Sequence, residues 1–335
     1  MAGWKKAIGV AVVALTTLGL TQAQAQSGKP LTKVRYEEVI RSVLYLPSYV
    51  AISKGFYKDA GLDVSMKTSQ GGDKAMAALL SNSADIVLMG PEVPVFVQNS
   101  ESPVKVKIFS GLTATDGFML MSRTPVGSKP DWNAIKGKTV LGWRKASTPL
   151  IYLEGALRKN GVDPQKDITM ITNLGAAAHV GAWLAGKQEY GLFPEPDASS
   201  LEKDGKAYFF ASVGDVIGPV DYTVFTATDV YIKKNPQVIQ AWTNGTARAL
   251  KFVQATSSAE LAKIALPYFP GITQEQMVNA IDRYKKYKVW KLTPVVEEAA
   301  LDRLQDLFVD SGVLKSTERV KSNIIVVNDF AKQAK

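Results

Sequence analysis

Two hydrophobic rhythms alternate along the chain. Short apolar or alternating runs at residues 34–39, 62–66, 86–89 and 104–109 read as strands, and the stretches between them carry apolar residues at helical spacing. Segment 48–60 sets Val50, Ile52 and Phe56 at that spacing and stops at Gly61. The Gly71-Gly72 turn follows strand 62–66, with Asp73 placed to cap a helix over 74–80. Beyond Gly90-Pro91 a helix is expected to about residue 98. Strand 104–109 then leaves through Ser110-Gly111-Leu112-Thr113, read as a loop, to a crossing strand at 118–122.

The polar, Pro-containing segment 123–130 breaks the pattern, as at a lobe boundary, and the alternation then restarts. Strands are expected at 138–142, 168–171 and 190–193, helices at 149–160 and 175–185, and an exit strand at 209–212. Segment 222–228 reads as the return crossing. From Asn235-Pro236, a cap followed by proline at the first helical position, helices dominate: 236–255, 259–268, 273–284 and 294–310, with a last segment near Phe330-Ala331 packing back. Strand–helix alternation of this kind predicts the α/β class with largely parallel sheets. At 335 residues there is chain enough for two cores. The expected lobes are 26–122 with 223–335, which is discontinuous, and 123–222.

The N-terminus is different in kind. Lys5 and Lys6 precede an apolar run over 7–20, and Ala23-Gln24-Ala25 has the small residues a signal peptidase requires, so residues 1–25 are expected to be an export leader. The run is shorter than a bilayer span needs, which argues against a retained anchor. With the leader gone the net charge of +9 falls to +7. Lysines and arginines are dispersed instead of forming a phosphate-tracking stripe, so the basic balance reads as solvated surface, not nucleic-acid binding. Hydrophobic content is 46% and charged content 21%, those of a globular protein. No cysteine is present, which excludes disulfides, thiolate metal sites, a cysteine nucleophile and a lipidated N-terminal cysteine.

Leu46-Pro47, Ile52-Ser53-Lys54-Gly55-Phe56-Tyr57, Ala60-Gly61-Leu62-Asp63-Val64, Gly71-Gly72, Ala84-Asp85-Ile86 and Gly90, in that order and spacing, resemble the periplasmic solute-binding proteins of ABC importers, of the nitrate, sulfonate, taurine and thiamine-pyrimidine-precursor type. The likeness runs over residues 33 to 331. It is weaker in the second lobe, where it rests on Gly137-Lys138-Thr139-Val140, Ser147-Thr148-Pro149 and Phe193-Pro194-Glu195-Pro196. The resemblance implies a type II periplasmic-binding-protein fold, in which two mostly parallel, helix-flanked sheets are joined by two crossing hinge segments and close on a ligand. It further implies a soluble monomer in the periplasm that hands a small molecule to an inner-membrane permease, without catalysis or cofactor. Pyrimidine-synthesising enzymes share the scaffold, but they use a cysteine-rich motif that this chain lacks.

Strand-to-helix turns in open α/β sheets gather at the carboxyl ends of strands, where free N–H groups meet ligands. That logic selects Tyr45, Leu46 and Pro47; Gly71 and Gly72; Gly90, Pro91 and Glu92; Thr113; and, across the cleft, Trp143, Ser147, Thr148 and Glu195. Tyr45 and Trp143 could cover a flat ring, or merely pack between elements. Ser147 and Thr148 could bind an oxyanion or carbonyl while capping their helix. If Glu92 and Glu195 both reach the cleft, they would repel a bare anion and favour an amine-bearing heterocycle such as an aminopyrimidine, with a sulfonate or nitrate-type anion as the alternative. Glu92 has a competing role as a first-turn helix acid. Asp116 and Asp197 are lesser candidates of the same kind. His179, the single histidine, has no metal-ligand company and reads as structural or surface.

Overall fold

The computed structural model describes Met1 and residues 30–335, so the expected leader and its cleavage point after Ala25 lie outside the described residues. Among the described residues ten strands fall into two five-stranded sheets. The first contains β1 (Thr32–Glu38), β2 (Leu62–Thr68), β3 (Ile86–Met89), β4 (Val106–Thr113) and β10 (Thr223–Thr228), in the order β2-β1-β3-β10-β4. The second contains β5 (Met119–Ser122), β6 (Thr139–Leu141), β7 (Thr169–Ile171), β8 (Tyr190–Phe193) and β9 (Tyr208–Ser212), in the order β7-β6-β8-β5-β9.

The two sheets share one plan. In each, three strands pair in parallel, and the fourth position is filled by a strand that runs against both neighbours: β10 between β3 and β4, and β5 between β8 and β9. Each reversed strand is the first to follow a crossing from the other sheet. The remaining four strands of each sheet point the same way, so their carboxyl ends gather on one edge.

The sequence explains the local choices. β3 is apolar throughout because both of its faces are covered: Ile86 and Leu88 join the large core, while Val87 and Met89 pack with Met76, Leu79 and Val97 in a separate cluster. Helices important to the site are α1 (Leu46–Ser53), α2 (Gly72–Leu80), α3 (Glu92–Asn99), α4 (Thr148–Lys159), α5 (Ala176–Ala185), α6 (Asp197–Lys203), α7 (Pro236–Ala255) and α8 (Gln274–Lys286). In α7 the buried Trp242 stacks on Tyr57 at 4.2 Å and meets Tyr36 edge-on at 5.1 Å, anchoring that helix to the first sheet. Such aromatic pairs contribute about 0.5–1.5 kcal/mol each beyond area burial.

Three local expectations change. The helix expected over 48–60 is broken at Gly55, which sits at φ 72° and divides α1 from a short turn of helix at Phe56–Asp59. Asp73 is not the cap of α2: Gly71 holds that position, and Asp73 lies in the first turn. Ser110 to Thr113, expected as a loop, is the end of β4, extended by its pairing with β10. Residues Leu31–Lys335 form one compact unit.

Candidate functional site

Helices α2, α3 and α4 begin within two or three residues of a strand end or the turn after it, and all three N-termini open onto one cavity of about 80 Å³. That is several times the ~10–15 Å³ one water needs. The first sheet contributes Gly71, Gly72, Gly90 and Glu92, together with Leu44 and Tyr45 from the turn before α1. The second contributes Trp143, Arg144, Ser147 and Thr148. None of the three helices has a side-chain cap: Gly71 and Pro91 precede the first two, and the Ser147 hydroxyl donates to Arg144 O at 2.5 Å. The positive ends of their dipoles therefore lie at the cavity lining.

Glu92 is the one carboxyl among the lining residues. It is 7% exposed, and its Oε2 has no hydrogen-bond partner. Burial pushes its carboxyl up to about 7, against the pull of the neighbouring Thr148 hydroxyl and the backbone N–H at the start of α3. Gly90 makes this arrangement possible, because a Cβ there would lie 2.0 Å from Glu92 Oε2 and 2.4 Å from Thr148 Oγ1.

The walls are aromatic. Trp143 meets Phe118 edge-on at 5.1 Å and lies 4.4 Å from the His179 ring. His179 is buried, and its Nε2 is 2.9 Å from Leu192 O, so the residue read as structural or surface supports the wall from behind. Desolvation lowers it to about 4, leaving a neutral imidazole. Tyr222 forms another face and packs on Tyr152 at 5.2 Å. Behind these rings Asp116 is fully buried. Its Oδ1 accepts from Phe118 N–H at 2.7 Å, Oδ2 is unpartnered, and desolvation raises it well above the carboxylate range.

Of the residues selected from sequence, Tyr45, Gly71, Gly72, Gly90, Glu92, Trp143, Ser147 and Thr148 line the cavity together. Leu46 and Pro47 are buried in the first turn of α1, and Pro91 is the buried cap of α3. Thr113 lies one layer back, its hydroxyl 2.7 Å from that of the lining residue Thr223.

Glu195 is elsewhere and is fully paired. Its carboxylate accepts from Ser199 N–H and Oγ–H at 3.0 Å each and from Arg283 Nη1 at 2.9 Å, and the residue is 0% exposed. Burial raises its carboxyl, and the Arg283 charge and the Ser199 donors oppose that rise. Asp197, raised to about 6 by burial and then by the Glu195 charge, is also outside the cavity lining.

Arg144 and Phe118 were not selected from sequence. Arg144 reaches over the mouth to Asp73, Nη2 to Oδ1 at 3.2 Å, and its place next to Trp143 was the available signal. Among the described residues no cluster of His, Asp or Glu could hold a metal ion, and no helix is long and apolar enough to cross a membrane.

Residues 44–258, more than half of the chain, match the family described as NMT1/THI5 like. The Bacillus subtilis (strain 168) protein named "Putative binding protein YtlA" is 36% identical over 326 residues, spanning 97% of both chains. Two solved structures share the fold. The periplasmic nitrate-binding protein NrtA from Synechocystis PCC 6803 has a TM-score of 0.75 at 15% identity, covering 90% of this chain and 88% of that one. The alkanesulfonate-binding protein SsuA from Xanthomonas axonopodis pv. citri, bound to MOPS, has a TM-score of 0.72 at 18% identity, covering 90% and 99%. Two sheets of identical plan, helix N-termini converging between them and the family match agree: this chain belongs to the NMT1/THI5-like family and has the two-lobe fold of periplasmic binding proteins.

Proposed function

We propose that this protein is the extracytoplasmic solute-binding component of an ABC importer, exported by a leader at residues 1–25, acting as a periplasmic monomer and delivering a small organic molecule to an inner-membrane permease. Recognition, not catalysis, is its activity. The lobes are 26–122 with 223–335, and 123–222, and the ligand bridges them and favours the closed form by binding both.

The carrying observation is the buried carboxyl of Glu92 between aromatic walls, with its Oε2 left without a hydrogen-bond partner. A buried acceptor without a donor costs about 1–3 kcal/mol, which a ligand N–H would recover. Trp143, Phe118 and Tyr45 suit a flat ring, so an amine-bearing heterocycle of the aminopyrimidine type is the favoured ligand. Loss of Glu195 from the cavity lining removes one of the two carboxylates behind the amine argument, which now stands on Glu92.

A second reading has its own support. Three uncapped helix N-termini and the Arg144 guanidinium favour an anionic or acceptor-rich group, as in a sulfonate. Thermal shift of refolded, ligand-free protein against 4-aminopyrimidine, MOPS, taurine and nitrate separates the two. Ligand at 100 times its dissociation constant stabilises by about 2.7 kcal/mol. A rise with the aminopyrimidine that disappears in Glu92→Gln is the expected result. A rise with sulfonates that Glu92→Gln leaves within twofold in affinity discards the amine reading.

A further inference from the structure

Glu195 is fully buried with both carboxylate oxygens bonded, and its partners come from elements that follow strands of both sheets. Its own element, the link from β8 to α6, belongs to the second sheet, and Ser199 on α6 is its local partner. Every other partner is remote. Val43 N–H and Ser42 Oγ donate to Glu195 O at 3.3 Å each, from the turn that carries the cavity residues Leu44 and Tyr45. Glu195 N–H donates to Tyr284 Oη at 2.9 Å, and Arg283 on α8 holds the carboxylate. The second guanidinium nitrogen of Arg283 pairs with Glu202 of α6. The turn is pinned once more from the same side, by Trp290 Nε1 donating to Leu44 O at 2.9 Å.

We infer that the Glu195–Arg283 pair, with Ser42, Val43 and Tyr284, is a positioning latch that docks the β8–α6 link of the second lobe onto the Tyr45 turn and α8, and so sets how far the cleft closes. This rests on the two-lobe closing reading. The ligand touches none of the latch; the latch sets the position of the wall that does touch it. The ion pair spans 88 residues of sequence, and the bonds from Ser42 and Val43 tie the β8–α6 link of one sheet to the turn that follows β1 of the other. Its main-chain bonds at Glu195 N and O fix the position of the link as well as its charge.

The chain has no cysteine, so two can be introduced without background. Lys74→Cys on α2 and Lys187→Cys after α5, both exposed, carry spin labels for pulsed electron–electron distance measurement on the full protein, with and without 4-aminopyrimidine or MOPS. Glu195→Gln and Arg283→Gln are expected to add a longer distance in ligand-free protein and to weaken ligand affinity about tenfold. Lys233→Gln, which removes only an exposed ion pair to Asp229 one helical turn away, should leave the ligand-free distribution unchanged. Because Arg283→Gln leaves a buried carboxylate unpaired and can unfold, Glu195→Gln, which leaves no buried charge and whose amide oxygen can still accept from Ser199 N–H, carries the test. A ligand-free distribution in Glu195→Gln identical to wild type, in a protein whose distance still shortens with ligand, overturns the latch and leaves closure standing. One unchanged distance in every variant, under a ligand that gives a thermal shift, overturns the closing reading itself.

Discussion

Glu92 and Glu195 occupy matching stations in the two sheets. Each lies just beyond the end of the third strand in the shared order, β3 in one sheet and β8 in the other, and each is more than nine-tenths buried. Their surroundings differ completely. Glu195 accepts from Ser199 and Arg283 and is structurally satisfied, whereas Glu92 turns an empty Oε2 into a cavity among helix N-termini. A carboxylate with its donors supplied from inside the protein is architecture, and one with its donor missing awaits a donor from outside. Burial, which both share, does not separate the two roles.

The largest expected effect breaks the satisfied member of the pair. Arg283→Met leaves the Glu195 charge buried without its cation and is expected to cost about 3–5 kcal/mol of stability, read by urea unfolding. Next comes the unsatisfied member. The Glu92 carboxyl is raised from 4.5 to about 7 on folding, so the folded form holds a proton that the unfolded form has lost between those values. Its contribution is fully present below about pH 4.5 and is lost as pH rises through 7. Glu92→Gln should therefore stabilise ligand-free protein above pH 7 by up to about 3 kcal/mol and flatten the slope of stability between pH 4.5 and 7. An unchanged slope in that variant would assign the pH dependence to other groups.

Gly90→Ala sharpens the comparison without touching either charge. Its Cβ would displace the Glu92 carboxyl or Thr148, so ligand affinity should fall about tenfold or more in calorimetry, at a stability cost of about 1–3 kcal/mol. The smallest effect belongs to the mouth. Asp73 and Arg144 are 67% and 41% exposed, and Asp73→Asn should change stability by only about 0.2–1 kcal/mol, less at high salt.

Sequence reading reached the cavity through the turns that build it. Gly71-Gly72, Gly90-Glu92 and Ser147-Thr148 are local strand-to-helix junctions, and the chemistry that puts them at a sheet edge lies within a few residues. Strands such as β3 and β8 were plain because an unbroken apolar run of four has few other uses. What stayed hidden depended on distant pairing. Ser110 to Thr113 became strand only because β10 lies beside it, more than a hundred residues later. Glu195 looked like Glu92 because its cation, Arg283, is 88 residues away. The break at Gly55 was masked by Val50, Ile52 and Phe56, which keep helical spacing across it.

The reversed strand in each sheet has a consequence for synthesis. Among the described residues β4 is paired along its length only by β10, with single bridges to Trp290 and Val326, and β10, the earliest of these, is not complete until residue 228. A nascent chain that has reached Ser122 thus holds β1, β2 and β3 with an open edge and a fourth strand with nothing to pair with. The first sheet cannot close until the whole of the second has been translated. Such sequence-distant pairing slows folding. A fragment ending at Ser122 should accordingly show no cooperative unfolding transition, and the first sheet should stay incomplete until about two-thirds of the chain exists.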